Sequence, residues 1–299
     1  MIDRILIFLR GVCMGVADAI PGVSGGTIAM IVGIYERLVT AISRCDATFV
    51  SHILHLRWRK ALAHVDFGFV ITLLAGIVTG ILAFSSLVLY LLENHLPVTF
   101  AAFTGLILGS VWILFRKLRS YSVGTFLMIL LGAVCAWWIV GLKPTQGADS
   151  ALYIFICGMI AICAMILPGI SGSYILLILG KYAFIIDKVK RVSHLDATVS
   201  DLLTLSIFAA GCLVGLLSFS KLLKWLLKHY HTAVLALLTG FMLGSLRCLY
   251  PFQRMVGESH FETLDISTVP VSQFANVGIS FVLSLLFILL LERVARKPS

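Results

Sequence analysis

The sequence predicts an all-α polytopic membrane protein built as two inverted repeats, each a re-entrant helical hairpin followed by three transmembrane helices. Three observations support this. The chain has 299 residues, 60% hydrophobic and only 12% charged, with a mean hydropathy of +1.05; soluble domains carry about twice that share of charge. A Pro-Gly break interrupts the apolar segment 5–42, as Pro21-Gly22-Val23-Ser24-Gly25-Gly26-Thr27. A matching break, Pro168-Gly169-Ile170-Ser171-Gly172-Ser173-Tyr174, interrupts segment 151–182, and Gly11/Gly158, Ala17/Ala164, Gly33/Gly180 and Tyr35/Tyr182 keep the same spacing.

Pro, Gly and Ser within an apolar run break a helix. In hydrocarbon the freed backbone groups need protein or a wet cavity to satisfy them. Ser24 and Ser171 stand at N-cap positions before resumed helical patterns, Thr27–Val39 and Tyr174–Tyr182. Each tip then offers N–H groups, a hydroxyl and the positive end of a half-helix, which suits an anion. Two such tips in corresponding positions of two halves point to a transporter site near the membrane midplane.

In chain order, Ile5–Ala19 and Thr27–Ala41 are arms of about fifteen residues, about 22 Å each, short of a hydrocarbon core about 30 Å thick. They read as a hairpin that enters and leaves on one side, with an N-terminus that is retained rather than cleaved, since Arg10 cuts its apolar run. Glu36–Asp66 is the longest charged connection, with Arg37, Arg44, Arg57, Arg59 and Lys60; Ile53, Leu54, Leu56 and Trp58 place part of it in the interface. Spans follow at 67–92, 98–115 and 123–142, with a tight turn at Glu93–Pro97 and a loop at Lys143–Ser150. The second hairpin, 151–182, leads through a polar connection, Ala183–Ser200, to spans at 202–227, 232–250 and 274–291, with Pro251–Ser272 as a loop. The repeats are thus 1–147 and 148–299. In the spans Gly76/Gly211, Gly80/Gly215, Gly105/Gly240 and Gly109/Gly244 match at a step of 135, so the first connection is twelve residues longer (147 minus 135).

The net charge of +9 gathers at segment ends, which suits membrane orientation better than nucleic-acid binding. With the Arg37–Lys60 connection cytoplasmic, the Arg116–Arg119 loop, the Lys228 turn and the Arg293–Lys297 tail are cytoplasmic too, as are both termini. The Glu93 turn and the Glu258–Asp265 loop fall outside. Lys188, Lys190 and Arg191 are the misfit, partly offset by Asp187 and Asp196.

Asp18 is an acid within an apolar segment and so a functional candidate, as a proton carrier or as a cap for the tip backbone. Glu36 ends the first hairpin and is the second ion-coupling candidate. Arg247, inside the 232–250 span, suits phosphate oxygens. Lys181, Lys221 and Lys224 read as interfacial anchors. The seven cysteines read as small buried hydrophobes, and His52 and His55 as a solvated pair rather than metal ligands. There is no GxSxG elbow and no His near either tip serine, so no catalytic residue, metal or cofactor is expected.

Gly15–Thr27 and Gly33-Ile34-Tyr35-Glu36 resemble the signature of the bacterial and archaeal polyprenyl-phosphate transporter family (PopT type), and Pro168–Gly172 resembles its second-half counterpart. The resemblance implies a flippase that recycles undecaprenyl phosphate from the outer to the inner leaflet of the bacterial cytoplasmic membrane. The phosphate would be held by Ser24, Gly25, Gly26, Thr27, Ser171, Gly172, Ser173 and Arg247. Inward movement of an anion against the membrane potential calls for a coupling proton or sodium ion, carried by Asp18 or Glu36. Two alternatives stand beside this: a small-anion channel or exchanger, and a membrane hydrolase. Pro21-Gly22-Val23-Ser24 also resembles undecaprenyl-pyrophosphate phosphatase. That family, however, continues its tip with Arg where this chain has Gly25 and Gly172, and it carries glutamates where this chain has only Asp18. Carriage therefore fits better than cleavage.

Overall fold

The computed structural model describes residues 2–18, 24–118, 121–256, 260–264 and 269–295. Pro21, Gly22 and Val23 of the first break lie outside the described residues, as do Arg119, Glu258, Asp265, Arg296 and Lys297.

The first half opens with α1 (Ile2–Asp18), α2 (Gly25–Ile31) and α3 (Tyr35–Ser43), then two short helices, α4 (Ala47–Leu54) and α5 (Trp58–His64). Three long helices follow: α6 (Phe67–Asn94), α7 (Leu96–Lys117) and α8 (Val123–Val140). The second half repeats the order with α9 (Ala151–Ile166), α10 (Gly172–Ile178) and α11 (Tyr182–Ser193). Then come α12 (Val199–His229), α13 (His231–Ser245, continued by a 3-10 turn, Leu246–Leu249) and α14 (Val271–Ala295). Six of the described helices, α6–α8 and α12–α14, are long and apolar enough to cross a membrane. The chain is therefore an all-α, multi-pass membrane protein, with one short exception. The expected loop Pro251–Ser272 holds an antiparallel β-hairpin, Gln253–Val256 with His260–Thr263.

After each break the chain packs back on itself, α1 against α2 and α9 against α10, with returning arms shorter than the sequence suggested. The continuous arm expected from Thr27 to Ala41 stops at Ile31, after about 10 Å, and α3 departs at 119°. Gly33 (φ +74°) is the cause. Its N–H donates to Met30 O (3.3 Å) and that of Ile34 to Ala29 O (2.9 Å), the paired bonds of a Schellman stop. Gly180 (φ +67°) does the same, with Gly180 N to Leu177 O (3.0 Å) and Lys181 N to Leu176 O (2.9 Å). The Gly33/Gly180 match is thus a pair of equivalent elbows.

Two connections are more ordered than the sequence suggested. Most of Ala183–Ser200 is the helix α11, whose basic side is matched by acids: Lys188 Nζ lies 2.7 Å from Asp201 Oδ1 and Arg191 Nε 3.0 Å from Asp187 Oδ2. The twelve extra residues of the first connection accommodate α4 and α5. Asp46 caps α4 through Phe49 N–H (3.0 Å) and lies 3.1 Å from His64 Nε2 on α5. Partial burial alone would raise its carboxyl pKa, but these bonds outweigh it and hold the group below the usual carboxylate range. Leu54, Leu56, Trp58 and Leu62 remain exposed beside Arg57, Arg59 and Lys60, as an interfacial segment requires.

The glycine matches mark backbone-to-backbone crossings. Where α6 crosses α1, a Cβ on Gly76 would run into the Phe8 carbonyl; where α12 crosses α9, a Cβ on Gly211 would run into the Phe155 carbonyl. Small residues four apart permit this approach, the chief means of helix association without water to exclude. The other spans pair across the halves. The α14 helix lies on α7, α8 lies on α13, and α7 touches α13 between them. Each half's third span therefore packs on the other half's second span. Phe69, Leu73, Phe100, Leu238 and Met242 are fully buried in the core around these contacts.

Candidate functional site between the hairpin tips

Ser24 has the extended backbone of an N-cap (φ −114°, ψ 133°), and its Oγ accepts from Gly26 N–H (3.1 Å). Asp18, at the end of α1, accepts from Gly25 N–H through Oδ1 (2.7 Å). The first tip is therefore capped twice from within its own hairpin, and Asp18 serves as the carboxylate at a half-helix N-terminus.

This tip is buried against the other hairpin. Ser24 is 2% exposed and Thr27 0%. Thr27 Oγ1 accepts from Gly169 N–H (2.8 Å), a residue 142 positions away. The Ser24 hydroxyl faces the carbonyls of Met165 and Leu167, each at 3.4 Å, where α9 ends and its own hydrogen bonding stops. Gly26 fits because a Cβ there would stand 2.8 Å from Ile166 O. The two breaks thus meet tip to tip.

The second tip is arranged differently. Ser171 has N-cap dihedrals (φ −89°, ψ 133°), but its hydroxyl makes no cap bond and lies 2.7 Å from Ser173 Oγ instead. Ser171 is half-buried and Ser173 exposed. A Cβ on Gly172 would run into the Ala161 carbonyl, and one on Gly169 (φ +92°) into Phe241 O and Ser245 Oγ of α13. Tyr174 Oη donates to Val140 O (2.6 Å) at the end of α8.

Arg247 lies within the span His231–Leu249, in the 3-10 turn that ends it, where the α-helical ladder has already tightened. It donates through Nη1 to Trp137 O (3.2 Å), and its guanidinium lies 4.8 Å from the Trp137 ring centre. It thus caps the carbonyl end of α8 while its side chain remains exposed. Glu36 is at the elbow rather than the tip. Its partner is His231 Nε2 (2.9 Å), at the start of α13, whereas the second tip meets Phe241 and Ser245, ten or more residues and about 15 Å further along. Among the described residues, Asp18 is the one acid at the junction.

Several supporting groups had no signal in the sequence. Thr145, Tyr153 and the Asp149–Lys181 pair hold the second elbow, and the carbonyls of Met165 and Leu167 complete the first tip. Only Lys181, a cation in an apolar run, could have prompted a search. The junction offers hydroxyls, amides and one carboxylate. Neither tip serine is hydrogen-bonded to a group that could take its proton as a general base.

The chain matches the undecaprenyl phosphate translocase-like family over residues 14–263. It belongs to that family. Among curated relatives of this translocase-like chain, a Vibrio cholerae protein named polyprenyl-phosphate transporter is 38% identical, with 97% of this chain and 96% of the relative covered. A Staphylococcus aureus protein of the same name is 32% identical, with 81% and 85% covered. No solved structure matches the translocase-like chain.

Proposed function

We propose that this protein transports polyprenyl phosphate, as its relatives' names state of them, and that it returns undecaprenyl phosphate from the outer to the inner leaflet of the bacterial cytoplasmic membrane. One observation supports this most directly: two broken helices meet at Thr27–Gly169, with the Ser171–Ser173 hydroxyl pair open beside that junction. In this reading the phosphate is held at the second tip by Ser171, Gly172 and Ser173, with Arg247 nearby to neutralise it. Ser24, Gly25, Gly26 and Thr27 complete the site once the first tip withdraws. The prenyl tail stays in lipid. The two halves are inverted repeats, 1–147 and 148–299, and the hairpins are re-entrant.

Charge supports the orientation. The Glu36–His231 and Arg37–Asp66 pairs put the first elbow, the start of α6 and the α12–α13 turn at one face. That face carries the basic α4–α5 segment, so it is cytoplasmic, and both termini lie there. The basic cluster of α11, the misfit in this scheme, is neutralised by Asp201 and Asp187. Moving the anion inward costs about 2.3 kcal/mol per charge per 100 mV, and entry of a proton or sodium ion through Asp18 offsets this.

The test is surface labelling of undecaprenyl phosphate in cells with and without the protein. Deletion should raise the outer-leaflet signal and the wild type should clear it. The Ser171→Ala/Ser173→Ala variant, normally expressed, should clear it about tenfold more slowly, since two hydroxyl contacts contribute about 0.5–1.5 kcal/mol each. An outer-leaflet signal that does not change on deletion would overturn the proposal. Clearance by Asp18→Asn with unaltered pH dependence would remove proton coupling through Asp18 from it.

A further inference from the structure

Two turns outside the spans are closed by a leucine where glycine would be less strained. Leu56, at the end of α4, has φ +53°, and Leu195, at the end of α11, has φ +59°. Each sits in the paired bonds of a Schellman stop. Leu56 N–H donates to Ile53 O (2.9 Å) and Arg57 N–H to His52 O (2.8 Å); Leu195 N–H donates to Val192 O (3.1 Å) and Asp196 N–H to Arg191 O (2.9 Å). At the hairpin elbows the same position holds Gly33 and Gly180. Left-handed backbone crowds the Cβ of any L residue, and glycine avoids that crowding. Contacts within the protein do not offset it, since Leu56 is 73% exposed and Leu195 95%. What these side chains pack against lies outside the chain.

The surroundings of Leu56 identify it. The helices α4 and α5 fold back on each other, and their base is tied down. Asp46, at the start of α4, lies 3.1 Å from His64 Nε2 at the end of α5, and Arg44 Nη1 donates to His64 O (3.4 Å). The turn opposite carries Leu54, Leu56 and Trp58, all exposed. The span α6 starts three residues after His64, so this apolar turn stands beside a membrane span. Arg57, Arg59 and Lys60 are exposed too and, among the described residues, have no carboxylate partner. The two acids of this stretch are already engaged, Asp46 by His64 and Asp66 by Arg37 (2.7 Å). Cations left unneutralised among inserted leucines and a tryptophan fit a leaflet with anionic head groups. The α11 turn has the same strained leucine but lacks this charge: Lys188 is paired with Asp201 and Arg191 with Asp187.

We propose that the α4–α5 turn is a docking surface for the anionic lipids of the leaflet beside it. Leu54, Leu56 and Trp58 enter the boundary between head groups and acyl chains, while Arg57, Arg59 and Lys60 hold lipid phosphates. Leu195 enters lipid as well, without selecting for charge. Asp66, just after α5, binds Arg37 of α3, so seating the turn fixes the first elbow relative to the leaflet. None of this rests on what the protein transports.

Hydrogen exchange of the full chain in nanodiscs of two compositions tests the proposal. Amides of residues 50–62 should exchange roughly tenfold more slowly when about half of the lipid is phosphatidylglycerol than in phosphatidylcholine alone, given three cations near the surface. Salt at about 0.5 M should remove most of that difference, and residues 189–196 should exchange alike in both. The Arg57→Gln/Arg59→Gln/Lys60→Gln variant should lose the dependence on phosphatidylglycerol. Leu56→Gly keeps the turn and relieves its strain, so it should unfold in detergent at the same temperature as wild type or higher, yet lose protection of 50–62 in lipid. Equal exchange of wild-type 50–62 in the two lipids would overturn the proposal, whether or not the variants fold. So would a charge-free variant that still responds to phosphatidylglycerol, or protection found in native membranes and in neither nanodisc, which would assign the surface to another protein.

Discussion

Thr27 bonds across the tip junction through one oxygen. The amide of Gly169 is buried, and Thr27 Oγ1 is its acceptor at 2.8 Å. Thr27→Val keeps the shape of the side chain but leaves that N–H without a partner, at a cost of about 1–3 kcal/mol. Thr27→Ser keeps the acceptor and should lose less than half of that. Thermal unfolding in detergent decides the matter; a valine variant as stable as wild type would show that packing alone joins the tips. The contact was not legible in the sequence, because the step of 147 pairs Thr27 with Tyr174, and these two bond to different partners. What could be read was the break itself. Gly33 and Gly180 were visible as a matched pair, but not that their positive φ would cut the returning arm short at seven residues.

At the scale of elements, the spans were the easiest to read, since each is a long apolar run. Their ends moved by only a few residues, as helices extended into polar flanks such as Glu93–Asn94 and Lys228–His229. The polar helix α11 was missed for the converse reason. Its charges looked like a loop, and only the fold brings Asp201 from α12 to within 2.7 Å of Lys188. The matched glycines predict equal effects at equivalent crossings. Gly76→Ala at α1–α6 and Gly211→Ala at α9–α12 each push a methyl group into a facing carbonyl. Each should cost about 1–3 kcal/mol, the usual penalty for overpacking. With no shared neighbour, the double variant should lose about the sum. The fraction of monodisperse protein recovered after heating gives the readout. A marked loss at one crossing and none at the other would mean that the two helix pairs are not equivalent.

At the scale of the whole molecule, the order of elements suggests two consecutive units, yet the packing interleaves them. The α8 helix lies on α13 and α14 on α7, so each half's last span is housed by the other. Composition and periodicity could not reveal this, because both faces of a membrane span read as apolar whichever neighbour it has. The consequence concerns assembly. A chain ending at residue 147 would carry α8 without α13 and α7 without α14, exposing the glycine-lined faces at Gly105 and Gly132 that those partners fill. Small-residue faces of this kind gain little from lipid, whose chains do not follow their shape. Fragments 1–147 and 148–299, expressed alone, should therefore be degraded or aggregate. Expressed together with a tag on one, they should co-purify near the yield of the intact chain. A stable, monodisperse half on its own would contradict the interleaved packing, since it would show that α7 and α8 find sufficient partners within the first 147 residues.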